Sequence, residues 1–431
     1  MEELTKYKLG EIAKIYNGST PSTLDASNYD GDIIWATPKD LSDQNSKYFS
    51  KGARNITQKG FDSCSTQMIP ANNILMSSRA PIGLFAINTV DCCTNQGFKN
   101  IVLDKAIADV DFMYYFLKYH VKEIEALGSG TTFREVSKTA FEKYEISIPS
   151  LPTQQKIASV LSKLDQKISV NREINRNLEE LAKQIYDYWF VQFDFPNEEG
   201  KPYKSSGGKM VYNEVLKREI PAGWEIKKIS SQIKENIGGD WGKEEPEGNY
   251  QLKVSCCRGA DLVSMTDLPT RYILNSNSYK LLEEDDMIVE ISGGSPTQAT
   301  GRCVLISKEI LNSFNNKLIC SNFCQALSIS DKDYVSYFYY MWKMFYNSDV
   351  FFNFEGKTSG IKNFQYDTFV AEKWYFPPKD LAKKFKEIVS QNYMKKCALD
   401  QENKHLAALR DELLPLLMNG QVTLNSCLSH D

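Results

Sequence analysis

At 431 residues, 42% hydrophobic and 25% charged, the chain is too long for one compact core and has ordinary globular composition, which excludes a wholly disordered, collagenous or membrane-embedded protein. Its 51 Lys+Arg against 55 Asp+Glu leave a formal net charge of −4. Proteins that coat nucleic acid bind phosphate through a large positive excess, so any nucleic-acid contact here must be local.

The N-terminal run Met1-Glu2-Glu3-Leu4-Thr5-Lys6 carries charges where a signal peptide needs a continuous apolar stretch. No window reaches the roughly 18 apolar residues of a transmembrane helix, so a cytoplasmic location without a membrane partner is expected. The ten cysteines include the adjacent pairs Cys92-Cys93 and Cys256-Cys257, with Cys320 and Cys324 four apart. No pair of CxxC knuckles exists and His120, His405 and His430 stand apart, so reduced structural thiols and no metal site are expected.

In chain order, β-branched and aromatic runs bounded by Gly, Pro, Asn and Asp predict strands at 32–36, 73–76 and 99–103, and helical spacing covers 112–127. A long helix opens at Pro152, where the fixed φ suits a first turn. Ile157, Leu161, Leu164, Ile168, Asn171, Asn175, Leu178, Ala182, Ile185 and Trp189 then follow a heptad seam. Its two asparagines either fix register inside the seam or lie at its wet edge. The helix ends in Tyr186, Tyr188, Trp189, Phe190 and Phe193, which pack inside this chain or dock a partner; Tyr186, Trp189, Phe190 and Phe193 are the partner-binding candidates. A polar, Gly/Ser-rich stretch then marks a connector. Beyond a second globular region with a helix at 334–345, a second long helix carries Phe385, Ile388, Leu399, Leu406, Leu409, Leu413 and Leu417 on its apolar face, and Pro415 should kink or end it.

The two long helices align without a gap at an offset of 228 residues, Leu178 on Leu406 and the step Ile148-Pro149 on Phe376-Pro377. Near the module starts, Tyr7–Ile12 aligns with Trp224–Ile229 at 217, leaving about eleven extra residues in the second copy. The expected organisation is α+β: two tandem β-rich domains at 1–150 and 220–378, long helices at 151–195 and 379–420, a connector at 196–219 and a tail at 421–431. Neither apolar stripe can be buried alone, so an antiparallel coiled-coil pair with pseudo-two-fold internal repeat is expected, a rod of about 55 Å at 1.5 Å per residue.

No catalytic constellation emerges. Gly356-Lys357-Thr358 lacks the glycine five residues earlier that a phosphate loop needs, Gly128-Ser129-Gly130 lacks the third glycine of a dinucleotide fingerprint, and Phe376-Pro377-Pro378-Lys379 lacks the acidic and aromatic flanks of a methyltransferase step. Glu283-Glu284-Asp285-Asp286 reads as a solvated turn. Two similar modules on a spacer instead suit bivalent recognition.

Several motifs, taken in order, resemble the DNA-specificity subunit of type I restriction-modification systems. They are Ile34-Trp35-Ala36-Thr37-Pro38-Lys39-Asp40-Leu41, Ile74-Leu75-Met76-Ser77-Ser78-Arg79-Ala80-Pro81-Ile82-Gly83, Asn95-Gln96-Gly97-Phe98-Lys99, Ile220-Pro221-Ala222-Gly223-Trp224-Glu225 and Glu290-Ile291-Ser292-Gly293-Gly294-Ser295-Pro296 with Gly301-Arg302. The resemblance spans nearly the whole chain. It implies a non-catalytic phage-defence subunit with two target-recognition domains that binds a bipartite, asymmetric site on double-stranded DNA. It also implies two methyltransferase subunits using S-adenosylmethionine to methylate adenine, and ATP-dependent translocase and nuclease subunits with ATP and Mg; the chain itself would bind no cofactor. The second module departs from the pattern, with Ser321-Asn322-Phe323-Cys324 in place of Asn-Gln-Gly-Phe and no match to Trp-Ala-Thr-Pro-Lys-Asp.

Polar, Gly/Ser/Thr-rich segments supply the DNA-contact candidates: Thr37, Lys39, Ser78, Arg79, Asn95, Gln96, Lys99, Thr131, Thr132 and Arg134 in the first module, and Arg258, Ser292, Ser295, Gln298, Arg302, Asn322, Lys357, Thr358 and Lys362 in the second. Cations can hold phosphate or pair with guanine, and amides can pair with adenine; for each side chain the competing reading is a phosphate or scaffold role without base contact. The alternatives are a self-sufficient DNA methyltransferase with divergent motifs and a coiled-coil scaffold without a DNA role.

Overall fold

The computed structural model describes residues 4–421 except Asn45, 131–133, Thr266, Gly294, Pro296, Ser359 and Gly360. The chain divides into two compact units, Met1–Asn171 with Glu402–Asp431, and Arg172–Gln401. Both units mix strands with helices, and each contains stretches of both long helices.

In the first unit, Thr5–Lys8 pairs antiparallel with Glu145–Ile148, Thr5 opposite Ile148. The main sheet has the spatial order Ala13–Asn17, Phe98–Leu103, Ile74–Ser78, Ile82–Asn88, Tyr48–Phe49. A helix, Val110–Tyr119, buries Phe112, Met113, Tyr115, Phe116 and Leu117 against it. The single helix expected over 112–127 is two, because His120 leaves helical conformation (φ −89°, ψ 16°) before Val121–Ala126. The strand expected at 32–36 likewise splits into Tyr29–Ile33 and Trp35–Ala36, the latter pairing parallel with Cys93–Thr94. Ile157, Ala158 and Leu161 from the first long helix join this core, as do Leu417 and Met418 from the last turn of the second. The helices run antiparallel here: Arg410 donates to Asp165 at 2.7 Å, and the Asn171 amide to Glu402 at 2.7 Å and Asn403 at 3.1 Å.

In the second unit, Glu225–Lys228 pairs antiparallel with Lys373–Phe376, Glu225 opposite Phe376. Ile233–Gly238, Cys324–Ile329, Met287–Glu290 and Cys303–Leu305 repeat the main-sheet order. The pairings set Thr5 against Glu225, an offset of 220 and not 217, so the second copy carries eight extra residues and not eleven. Three further strands, Thr270–Leu274, Tyr250–Cys257 and Lys317–Cys320, form a separate sheet.

The first long helix covers Leu151–Tyr186 and continues in a wider turn, Asp187–Val191. Tyr186, Trp189, Phe190 and Phe193 do not present a partner surface. All four are buried in this unit's own core, with the Phe190 and Phe385 rings 5.0 Å apart and those of Phe193 and Tyr375 5.4 Å apart. Large aromatic rings gain most from dry packing, and the second helix supplies the facing wall. The connector is ordered by its own polar groups: Asp194 accepts from the Ser205 backbone and hydroxyl, Phe195 stacks on Tyr203 at 4.6 Å, and Met210–Asn213 pairs with Arg218–Pro221.

The second long helix covers Lys379–Met418, so Pro415 lies within its last turn. Its seam uses Val389, four residues after Phe385, whereas Ile388 and Leu409 are exposed. Asn171 and Asn175 lie inside the seam at 0% and 6% exposure; Asn175 donates to Asp400 at 2.7 Å. The wet-edge reading of these residues is therefore corrected: the opposite helix supplies the acceptors that water would otherwise provide.

Burial pushes the thiols of Cys92, Cys93 and Cys256 up to about 12, which leaves them protonated and unreactive at neutral pH. Among the described residues, no helix is long and apolar enough to cross a membrane, and no group of three or more His, Cys, Asp or Glu side chains is placed to hold a metal.

Candidate nucleic-acid interface

Strand register gathers the expected contact segments at one end of each module's main sheet. In the first module Asn17 and Met76 both lie opposite Lys99, and Ser77 opposite Phe98. The segments after Asn17, before Phe98 and after Ser78 therefore emerge together. Asn95 N donates to Ala36 O at 3.0 Å, which brings Thr37 and Lys39 alongside, and Val136 N donates to Ser78 O, which adds Arg134.

The second module repeats these contacts. Gly238 lies opposite Gln325 and Glu290 opposite Cys324, Ser321 N donates to Cys257 O, and Phe364 N to Ile291 O. Arg258 consequently stands where Thr37 does, and Cys256-Cys257-Arg258-Gly259-Ala260-Asp261-Leu262 is the counterpart of the Trp-Ala-Thr-Pro-Lys-Asp-Leu segment. The sequence shows no such match, but the backbone does: the Asp40 carboxylate accepts from Thr37 N at 2.7 Å and the Asp261 carboxylate from Arg258 N at 2.9 Å. Leu41 and Leu262 are both buried.

Many of the expected contact residues are braces. Lys99 is 4% exposed; its ammonium lies 3.0 Å from Glu135 and 3.3 Å from Ser78, which is itself fully buried. Arg302 makes a two-pronged pair with Glu290 at 2.9 and 2.6 Å, and Lys362 pairs with Glu355 at 2.9 Å. Arg258 grips Asp261 through two nitrogens at 2.8 Å. Asn95 accepts from Gly97 N at 2.9 Å within a local turn, and Ser292 donates to Asn363, its cross-strand partner, at 2.6 Å. A cation held in this way is not free to grip phosphate, so Lys99, Arg302 and Lys362 are corrected to scaffold residues.

Lys39, Gln96, Arg134, Gln298 and Asn322 are exposed, Arg79 is half-exposed with Glu135 at 3.9 Å, and Ser295 bridges to Gln298. Lys357 and Thr358 belong to the strand Glu355–Thr358, paired with Ile361–Phe364, so Gly356-Lys357-Thr358 is a hairpin arm and not a phosphate loop. Thr131 and Thr132 lie outside the described residues.

Sequence reasoning missed the segment that follows the first sheet strand. A Cβ on Gly18 would fall 1.9 Å from Asn95 O, and one on Gly239 2.0 Å from Ser321 O. Each glycine thus lets the backbone close on the contact loop, placing Thr20 beside Gln96, to which its hydroxyl donates, and Trp241 near Asn322. The signal was a glycine at the end of a β-run in both copies.

Residues 1–180 match the family described as type I restriction modification DNA specificity domain. The type I restriction enzyme MjaIX specificity subunit of Methanocaldococcus jannaschii is 30% identical over 434 residues, covering 96% of this chain and 92% of that one. The chain belongs to the type I restriction enzyme specificity subunits. The HindI specificity subunit of Haemophilus influenzae is 27% identical over 203 residues, 45% of this chain and 42% of that one. In fold, the S subunit of a type I restriction-modification system from M. genitalium superposes with a TM-score of 0.56 at 18% identity, covering 96% of each chain. As a specificity subunit the chain is the DNA-recognition component of a type I system and not a catalytic one.

Proposed function

We propose that each module reads one half of a bipartite, asymmetric target on double-stranded DNA, with residues 1–150 and 220–378 as the two readers. The long helices hold two methyltransferase subunits, which use S-adenosylmethionine to methylate adenine, and ATP-dependent translocase and nuclease subunits using ATP and Mg assemble on the same complex in the cytoplasm. The observation that carries this reading is the repetition of one sheet end in two modules whose outward side chains differ: Thr20 and Gln96 against Trp241 and Asn322. Shared backbone positions both readers alike, and different side chains give them different half-sites. Arg79, Arg134 and Lys39 are the first module's phosphate and base contacts; Gln298 and Asn322 serve the second.

The test is to map methylated adenines in DNA exposed to the assembled complex. Exchanging residues 1–150 for those of another specificity subunit should replace one half of the methylated motif and leave the other. A motif that changes in both halves, or methyl transfer by the isolated chain, overturns the proposal.

A further inference from the structure

The second module's sheet end carries an open recess lined by Asp240, Trp241, Lys243, Asn277, Lys280 and, at its rim, Asn322. We propose that this recess reads base edges of the second half-site, an inference that rests on the duplex-reading role above.

Its walls are held rigid. Asp240 N donates to Cys320 O at 2.9 Å, and the Asp240 carboxylate accepts from Gly242 N at 3.0 Å and from the Asn277 amide at 2.7 Å. Lys280 donates to Gly239 O at 3.0 Å, and the Arg271 guanidinium lies 3.9 Å from the centre of the Trp241 ring while pairing with Glu244. Fixed walls lower the ordering cost of binding and sharpen discrimination. At the rim, the Asn322 amide and the Lys243 ammonium are exposed, and Phe323 beside them is 49% exposed.

The chemistry points to bases in preference to backbone. A phosphate site needs donors alone and is weakened by a carboxylate, and here Asp240 is among the lining residues while Glu247 lies 3.6 Å from Lys243. A base edge in the major groove presents donors and acceptors in a pattern, which a set of amide, ammonium and carboxylate can match, and an exposed aromatic suits a thymine methyl. In the first module the corresponding pair is tied together, the Thr20 hydroxyl donating to the Gln96 amide oxygen.

The experiment assembles the complex with Asn322→Asp and, separately, Lys243→Ala, and maps the methylated motif against a library of half-site variants. Asn322→Asp keeps the shape but removes the donor, so preference at one position of the second half should move toward cytosine by about tenfold, the first half staying fixed. Lys243→Ala should relax a position in the same half. Thermal melting confirms that both variants fold. An unchanged motif, or a loss equal on all sequences, overturns base reading by the recess while leaving the bipartite reading intact; the exchange of residues 1–150 tests that reading separately.

Discussion

Ser77 and Glu290 occupy the same place in the two modules, opposite Phe98 and Cys324 at the end of a central strand. Ser77 donates to Pro81 O at 2.7 Å and accepts from Leu84 N at 2.8 Å, so the first module ties its turn to the sheet with neutral hydrogen bonds. Glu290 instead meets Arg302, its side chain 3% exposed and that of Arg302 18%. The same backbone plan therefore tolerates a neutral or an ionic brace. The two braces are unequal in how they fail. Removing one member of a buried pair strands the other charge, whereas removing a hydroxyl leaves two modestly unsatisfied groups.

The largest expected effect follows directly. Arg302→Met should destabilise the second unit by about 3–5 kcal/mol, against about 1–2 kcal/mol for Ser77→Ala in the first. Denaturant titration followed by tryptophan fluorescence separates them, since Trp189, Trp224, Trp241, Trp342 and Trp374 lie in the second unit and Trp35 in the first. Equal losses would show that the two braces work alike.

A second pair sharpens the contrast. Lys99 and Gln325 lie one residue into the matching strands, Lys99 bonded to Glu135 and Ser78, whereas the buried Gln325 Nε2 has no hydrogen-bond partner among the described residues. Lys99→Met should cost about 2 kcal/mol, while Gln325→Met should be neutral or stabilise by about 1 kcal/mol because it removes an unsatisfied buried amide. Thermal unfolding of both variants checks the signs. A loss of similar size at Gln325 would mean that the amide is satisfied in solution.

These differences mark where sequence reading stops. The repeat, the long helices and the seam through Ile157, Leu161 and Ile168 were legible, because periodicity records burial along an element. Asn171 and Asn175 were legible as exceptions, but their burial depended on Asp400, Glu402 and Asn403 arriving from the other helix. At the candidate interface, strand register brings the expected segments to one sheet end, but the pairing of their cations was not legible. Lys99, Arg302 and Lys362 look like ligands for phosphate until Glu135, Glu290 and Glu355, distant in the chain or across a turn, are brought to them. The counterpart of Thr37 was invisible for a similar reason: a threonine and an arginine share no side-chain pattern, only the backbone position after a strand.

That last pair gives the smallest and most specific prediction. Thr37 donates its hydroxyl to Asp40 at 2.6 Å, and its backbone N lies 2.7 Å from the same carboxylate oxygen; Arg258 holds Asp261 through its backbone N at 2.9 Å and its guanidinium at 2.8 Å. Thr37→Ala should cost about 1 kcal/mol as a lost cap. For Asp261, burial acts to raise the carboxyl pKa, but the Arg258 hydrogen bonds and charge outweigh it and the net lies below the ordinary carboxylate value. A carboxyl depressed in the folded state stabilises the fold above its unfolded pKa, near 3.9, and that contribution disappears as pH falls through the depressed value. Carbon-detected NMR titration should therefore show Asp261 titrating below the usual range, and Arg258→Ala should move it upward while costing only about 0.5 kcal/mol at neutral pH, since the pair is part-exposed. An Asp261 that titrates normally in the unaltered chain would mean that the guanidinium is released in solution. Arg258 would then return to the group of cations available to DNA.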